Sequence, residues 1–238
     1  MIEPLVAPLF LIRDAPDFEN TNLFTSTAGH LVKLVGGPQL LSVYPLTVEQ
    51  GDVVSIPNGW LLPILRDHIT HAELKYFVTH LVPVTSTLRA REETLKKEKG
   101  RELDWRVCFN LEYQIWALLP SFCKHPTGVT ESFKMMAKTL GGLISCRPEI
   151  RELLCTALVT LINTVEESEK EELAKFAKNF LPILFNLFLA EPKDDDPPRK
   201  PVKDAIEAYL SICPMPVLHT FYEKVCSARN SNVLFSNF

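Results

Sequence analysis

The chain has 238 residues, 46% of them hydrophobic, which is enough apolar surface to bury a core and too much for wholesale disorder. Its 25 basic and 29 acidic residues give a formal net charge of −4, so nothing forces a nucleic-acid partner, although a local basic patch is compatible with that balance. Prolines outnumber glycines by 18 to 9, and many sit at the edges of apolar runs that repeat at three and four, which is punctuation between helices and not the alternation of strands.

In chain order, residues 1–24 read as an irregular arm. Its apolar stretch is no secretory signal, because Glu3 and no basic residue precedes it and prolines interrupt it. Residues 25–35 predict a short helix stopped by Gly36-Gly37-Pro38. The stretch 39–57 is mixed, with an extended segment expected around 41–43 and any strand confined to this stretch. Residues 58–68 predict a short helix containing Pro63. A long helix is expected to begin at Thr70, where Thr70 and Glu73 have capping-box spacing, and to bend at Pro83. Its far end, 89–99, is charged on all sides and should project into water.

From Asp104 the periodicity strengthens. Trp105, Cys108, Leu111, Ile115 and Leu119 advance by threes and fours to a break at Pro120, and Phe133, Met136, Leu140 and Ile144 mark the next helix. Pro148 stands where a first-turn proline belongs, with Glu149 beside the positive end of a helix carried on by Ile150, Leu154, Leu158 and Leu161. Ser168 and Glu171 repeat the capping-box spacing ahead of the run FAKNFLPILFNLF (176–188), which is apolar nearly all round and interrupted by Pro182. Residues 191–201, EPKDDDPPRKP, predict an exposed acidic proline-rich loop. Helices over 202–212 and 217–227 follow, and 229–238 form a tail without pattern. The longest apolar run, around 180–190, contains Asn186 and is too short to span a bilayer.

These elements predict an all-α fold of roughly eight helices in antiparallel pairs. Kinked apolar helices following one another with short breaks over 25–228 indicate a stacked helical-repeat scaffold with a degenerate repeat, a surface for partners instead of a pocket for chemistry.

Few constellations carry chemistry. His68 and His71 have a spacing that metal ligands use, but they lie at a helix boundary without acidic ligands nearby and read as a solvated helix-terminal pair; Cys123 and His125 lie in a turn before Pro126 with no second Cys/His pair nearby, which argues against a zinc site. Walker, Rossmann, H-E-x-x-H and G-x-S-x-G signatures are absent. The six cysteines contain no C-x-x-C pair and read as reduced core thiols of an intracellular protein. Gly141-Gly142 points to close helix packing, and Trp105 and Trp116 read as core. One electrostatic cluster stands out: Arg89, Arg91, Lys96, Lys97, Lys99 and Arg101, interleaved with Glu92, Glu93, Glu98 and Glu102. It is either a solvated helix end laced with i,i+4 pairs or a contact for RNA phosphates or an acidic partner.

Four segments taken together resemble the ribosomal RNA processing protein 12 family: WLLPILRDHI (60–69), IWALLPSFCKHPT (115–127), SFKMMAKTLGGLISCRPEIRELLCTAL (132–158) and AKFAKNFLPILFNLF (174–188). The similarity covers about 31–210. It implies that 25–228 are a HEAT/armadillo-like helical-repeat solenoid fragment of antiparallel helix pairs, from a protein of the nucleus and nucleolus acting in pre-rRNA maturation and in assembly and export of ribosomal subunits. The implied partners are pre-ribosomal particles, RNA and the export machinery. The chain is much shorter than that family, and 227–238 does not continue the repeats, so a fragment, a splice form or an incomplete gene model is expected. The family's RNA contacts match no motif visible here. The resulting expectation is a non-enzymatic scaffold in ribosome biogenesis, with no cofactor, metal, membrane or small-molecule substrate. The alternative is a generic helical-repeat adaptor or transport-receptor-like protein that binds protein partners without RNA.

Overall fold

The computed structural model describes residues 3–13, 15, 18–51, 54–190 and 197–231. Two compact units divide at the boundary between Thr127 and Gly128, where the sequence reading had one continuous domain over 25–228.

The first unit opens with α1 (Glu3–Arg13), α2 (Thr21–Val35) and α3 (Gly37–Val43). Helix α1 corrects the expectation of an irregular arm over 1–24. Its Pro8 lies inside the helix, yet Val6 and Phe10, one turn apart, are buried. Phe10 lies 4.8 Å from Trp60 and 4.5 Å from Tyr44, so aromatic packing offsets the lost backbone donor. Gly36, at φ 95°, ends α2 and starts α3, a conformation costly for any residue with a Cβ. Residues 41–43 are therefore helical, not extended. The strands fall later, as a two-residue antiparallel pair of β1 (Glu49–Gln50) and β2 (Val54–Ser55).

Helix α4 (Leu61–His68) takes Pro63 into its first turn and buries Leu61, Leu62, Ile64 and Leu65. The long helix expected from Thr70 starts at Leu74 with the three-residue α5 (Leu74–Tyr76). The Thr70–Glu73 capping box does not form. Thr70 instead donates to the Lys124 carbonyl, and Thr127 and Leu74 exchange backbone bonds with Ala72 and Thr127, tying this turn to the 124–127 segment. A π-helical turn over Phe77–Leu81 then leads into α6 (Val82–Leu95), with the Val82 amide donating to the Phe77 carbonyl. Pro83 thus enters at the first turn of α6, where its missing donor is tolerated, and the widened turn before it absorbs the change of register. Helix α7 (Glu102–Trp116) packs back on α6, and α8 (Leu119–Phe122) packs on α4. Phe77 anchors this core, 5.7 Å from Trp116 and 5.3 Å from Phe122.

The second unit contains α9 (Val129–Cys146), α10 (Pro148–Thr164), α11 (Glu167–Ala174), α12 (Ala177–Leu189), α13 (Lys200–Ile212) and α14 (Met215–Ser231). The hairpin of α9 and α10 turns on the single residue Arg147; α12 packs on α9, and α13 on both α10 and α12. Phe133, Phe180 and Tyr209 form the centre, with the Phe180 and Tyr209 rings stacked at 5.3 Å. The second expected capping box, Ser168–Glu171, is absent as well, since α11 begins at Glu167 without a side-chain cap. Glu169 instead accepts from the Val129 amide at 3.2 Å, capping α9 from forty residues away. Of the expected acidic loop, 191–196 lie outside the described residues; Arg199 donates to the Phe188 carbonyl at 2.9 Å and to that of Ala190. The tail expected at 229–238 is helical through Ser231, and 232–238 lie outside the described residues.

Candidate nucleic-acid or partner interface

The basic cluster occupies the outer end of α6 and the turn into α7. Helix α6 ends at Leu95, so 96–101 form a turn that Gly100 closes at φ 79°, and not the projecting helix the sequence suggests. Nor is the helix charged on all sides. Thr85, Leu88, Glu92 and Leu95 repeat at three and four and are buried on the side that packs with α7.

The six basic residues divide into three kinds. Arg89, Lys96 and Arg101 are paired. Arg89 donates to Glu93 at 3.1 Å, Lys96 lies 2.6 Å from the Glu92 carboxylate, and Arg101 pairs with Asp104 of the first turn of α7. The Lys96 pair is the most structural, because the Glu92 side chain is only 5% exposed and the Lys96 ammonium also sits 4.7 Å above the Trp105 ring. Arg91 is of a second kind: its Nε is buried without a hydrogen-bond partner among the described residues. It lies close enough to Cys108 to oppose the rise that burial imposes on that thiol's pKa. Lys97 and Lys99 are exposed and have no ion-pair partner among the described residues. The two lysines are therefore the cluster's free positive charges.

Trp105 is half-buried beneath Lys96 and within 5.5 Å of the Arg106 guanidinium, so it is not the core residue its spacing suggests, whereas Trp116 is 2% exposed. The histidines make different contacts. His68 covers Gly29 of α2, where a Cβ would lie 2.3 Å from its Nε2. His71 and His125 both adopt positive φ and stack at 5.1 Å. Cys123 is buried, and burial pushes its thiol pKa well up, away from the thiolate a metal needs. Among the described residues, no group of three or more His, Cys, Asp or Glu could hold a metal ion, and no helix is long and apolar enough to cross a membrane. Gly141 does serve close packing, since a Cβ there would meet Ile183 of α12 at 3.2 Å; Gly142 faces open space.

A sequence model of the family described as "Ribosomal RNA-processing protein 12, HEAT repeats" matches residues 1–191. The RRP12-like protein of Gallus gallus is 38% identical over 207 residues, covering 84% of this chain and 16% of its own length. The RRP12-like protein of Homo sapiens is 36% identical over 219 residues, 90% of this chain and 17% of its own length. The ribosomal RNA-processing protein 12 of Saccharomyces cerevisiae is 25% identical over 228 residues, 86% of this chain and 18% of its own length. The chain thus spans less than a fifth of the length of these curated relatives. With the match over 1–191 laid on an almost wholly helical fold of packed hairpins, this chain belongs to the HEAT-repeat region of the ribosomal RNA-processing protein 12 family.

Proposed function

We propose that this chain is part of a non-enzymatic helical-repeat scaffold acting in ribosome biogenesis, in pre-rRNA processing and in assembly and export of ribosomal subunits. The family match over 1–191 carries this reading. The packed helical hairpins support it, since stacked hairpins present extended surfaces to partners. The partners are pre-ribosomal particles, RNA and export machinery, and the location is the nucleus and nucleolus.

Within the segment, RNA contact falls to the α6–α7 turn. Lys97 and Lys99 hold phosphates there, while Arg89, Lys96 and Arg101 keep the turn in shape through their carboxylates. Affinity purification of the tagged full-length parent protein tests the main reading. Recovery of pre-ribosomal RNA and early assembly particles is the expected result, and their absence from a purification that retains other partners overturns it.

A further inference from the structure

A second surface, in the second unit, has a different chemistry. Helices α9 and α12 enclose a groove of about 630 Å³, within the range of built binding sites. Half-buried Phe176 and Ile183 give it an apolar floor above the buried Phe180 and Pro182, and Lys134, Lys138 and Lys178 stand on its rim. Lys134 and Lys138 are one turn apart on α9, and Lys178 lies in the first turn of α12, where the helix dipole adds positive potential. No carboxylate lines the groove, and none of the three lysines has an ion-pair partner among the described residues. Lys170, Lys175 and Lys203 of the same unit, in contrast, are paired with Glu167, Glu172 and Glu207.

We propose that this groove docks an acidic segment of a protein partner, with an apolar side chain seated on the floor and flanking carboxylates on the three lysines. Charge complementarity selects the acidic partner. The floor selects a peptide over a nucleic acid, because a phosphate backbone satisfies lysines but leaves apolar side chains uncovered, whereas an amphipathic segment fills both. Gly142 is central to the fit. It is exposed and lines the groove, and a Cβ there meets nothing within 4 Å, so a larger side chain at this position enters the groove without displacing the helix pair.

The inference is independent of the ribosomal reading and has its own test on the 238-residue chain. The probe is a labelled peptide of Glu, Ala and Leu about four helical turns long, with leucines one turn apart. Gly142→Leu plugs the groove without changing charge and replaces a poor helix former with a good one. It should weaken peptide binding by about tenfold or more while circular dichroism stays unchanged. Lys178→Glu, an exposed substitution, should do the same and remains informative if the plug disturbs folding. Equal binding by a leucine-free version of the peptide, undiminished binding by both variants, or no binding at all overturns the proposal. So does tighter binding of an oligouridylate of about a dozen nucleotides at the same groove, which assigns the lysines to a nucleic acid.

Discussion

Single residues in this chain show where burial and polarity conflict. Tyr209 is fully buried against Phe180, and its hydroxyl has no hydrogen-bond partner among the described residues. Removing an unsatisfied buried hydroxyl while keeping the ring should be neutral or favourable, so Tyr209→Phe is expected to raise unfolding stability by up to about 1 kcal/mol. Urea denaturation measures this, and a loss of more than about 1 kcal/mol would reveal a partner for the hydroxyl. The thiols give a pH-dependent counterpart. Burial pushes the Cys155 thiol up to about 12, above its ordinary value near 9. The folded state therefore holds the proton where the unfolded state has released it, and the thiol's contribution is intact below pH 9 and lost as pH rises toward 12. Stability should fall over that window less steeply in Cys155→Ala than in the parent. In a Cys226→Ser background, a thiol reagent near neutral pH should label exposed Cys146 first, with Cys108, Cys123, Cys155 and Cys213 lagging until unfolding. What the sequence made legible at this scale is the stripe. Ile115, Leu119, Phe133 and Ile144 are buried where their spacing puts them. Trp105 breaks the rule, because Glu92 draws Lys96 over its ring and the apolar face meets cations instead of core. The i,i+4 pairs Arg89–Glu93 and Lys96–Glu92 were legible in the spacing, but which cations stay free was not. Six basic residues within thirteen positions look alike in a string, and only the fold separates Lys97 and Lys99 from partners already committed.

Elements were legible in proportion to how local their causes are. Helix α10 was readable because Pro148, Glu149 and the apolar repeat all lie within it. Helix α1 was not, because it depends on Phe10 reaching Trp60 and Tyr44, a contact no local pattern announces. The capping boxes fail for different reasons: Thr70 is taken by the Lys124 carbonyl, and α11 begins at Glu167, which puts Ser168 inside the helix instead of at its N-cap. The two adjacent glycines of α9 show how sharply packing can separate equivalent sequence positions. Gly142→Ala should gain the helix propensity of alanine, about 1 kcal/mol, since a Cβ there meets open space. Gly141→Ala gains the same propensity but sets a Cβ 3.2 Å from Ile183, so α12 must yield. Chemical denaturation of the two variants should therefore rank Gly142→Ala clearly above Gly141→Ala. Equal stabilities would mean that α9 and α12 pack less closely than their geometry indicates.

At the scale of the whole molecule, a periodic string hides its own seams. The break at Pro120 looks in the sequence like the other proline breaks between helices, so 25–228 reads as one array, while the compact units part between Thr127 and Gly128, where Gly128 adopts φ 66°. Charge behaves similarly. A net charge of −4 repels polyanions at long range, so any RNA binding by this segment must come from a local site and not from the overall field. That makes its salt dependence diagnostic. Reversing Lys96 along with its neighbours confounds the test, because it removes the partner of a buried carboxylate and disturbs the α6–α7 pair. The Lys97→Glu/Lys99→Glu double variant leaves every described ion pair in place. If both lysines hold phosphates of a single strand, the slope of log affinity against log salt should fall in magnitude by about 1.4, and affinity should drop across RNA sequences alike. Circular dichroism and the unfolding midpoint should not move, since neither side chain packs. Loss of binding to one RNA sequence alone would indicate base readout instead of phosphate contact. An unchanged affinity and slope would place the RNA contact outside this turn.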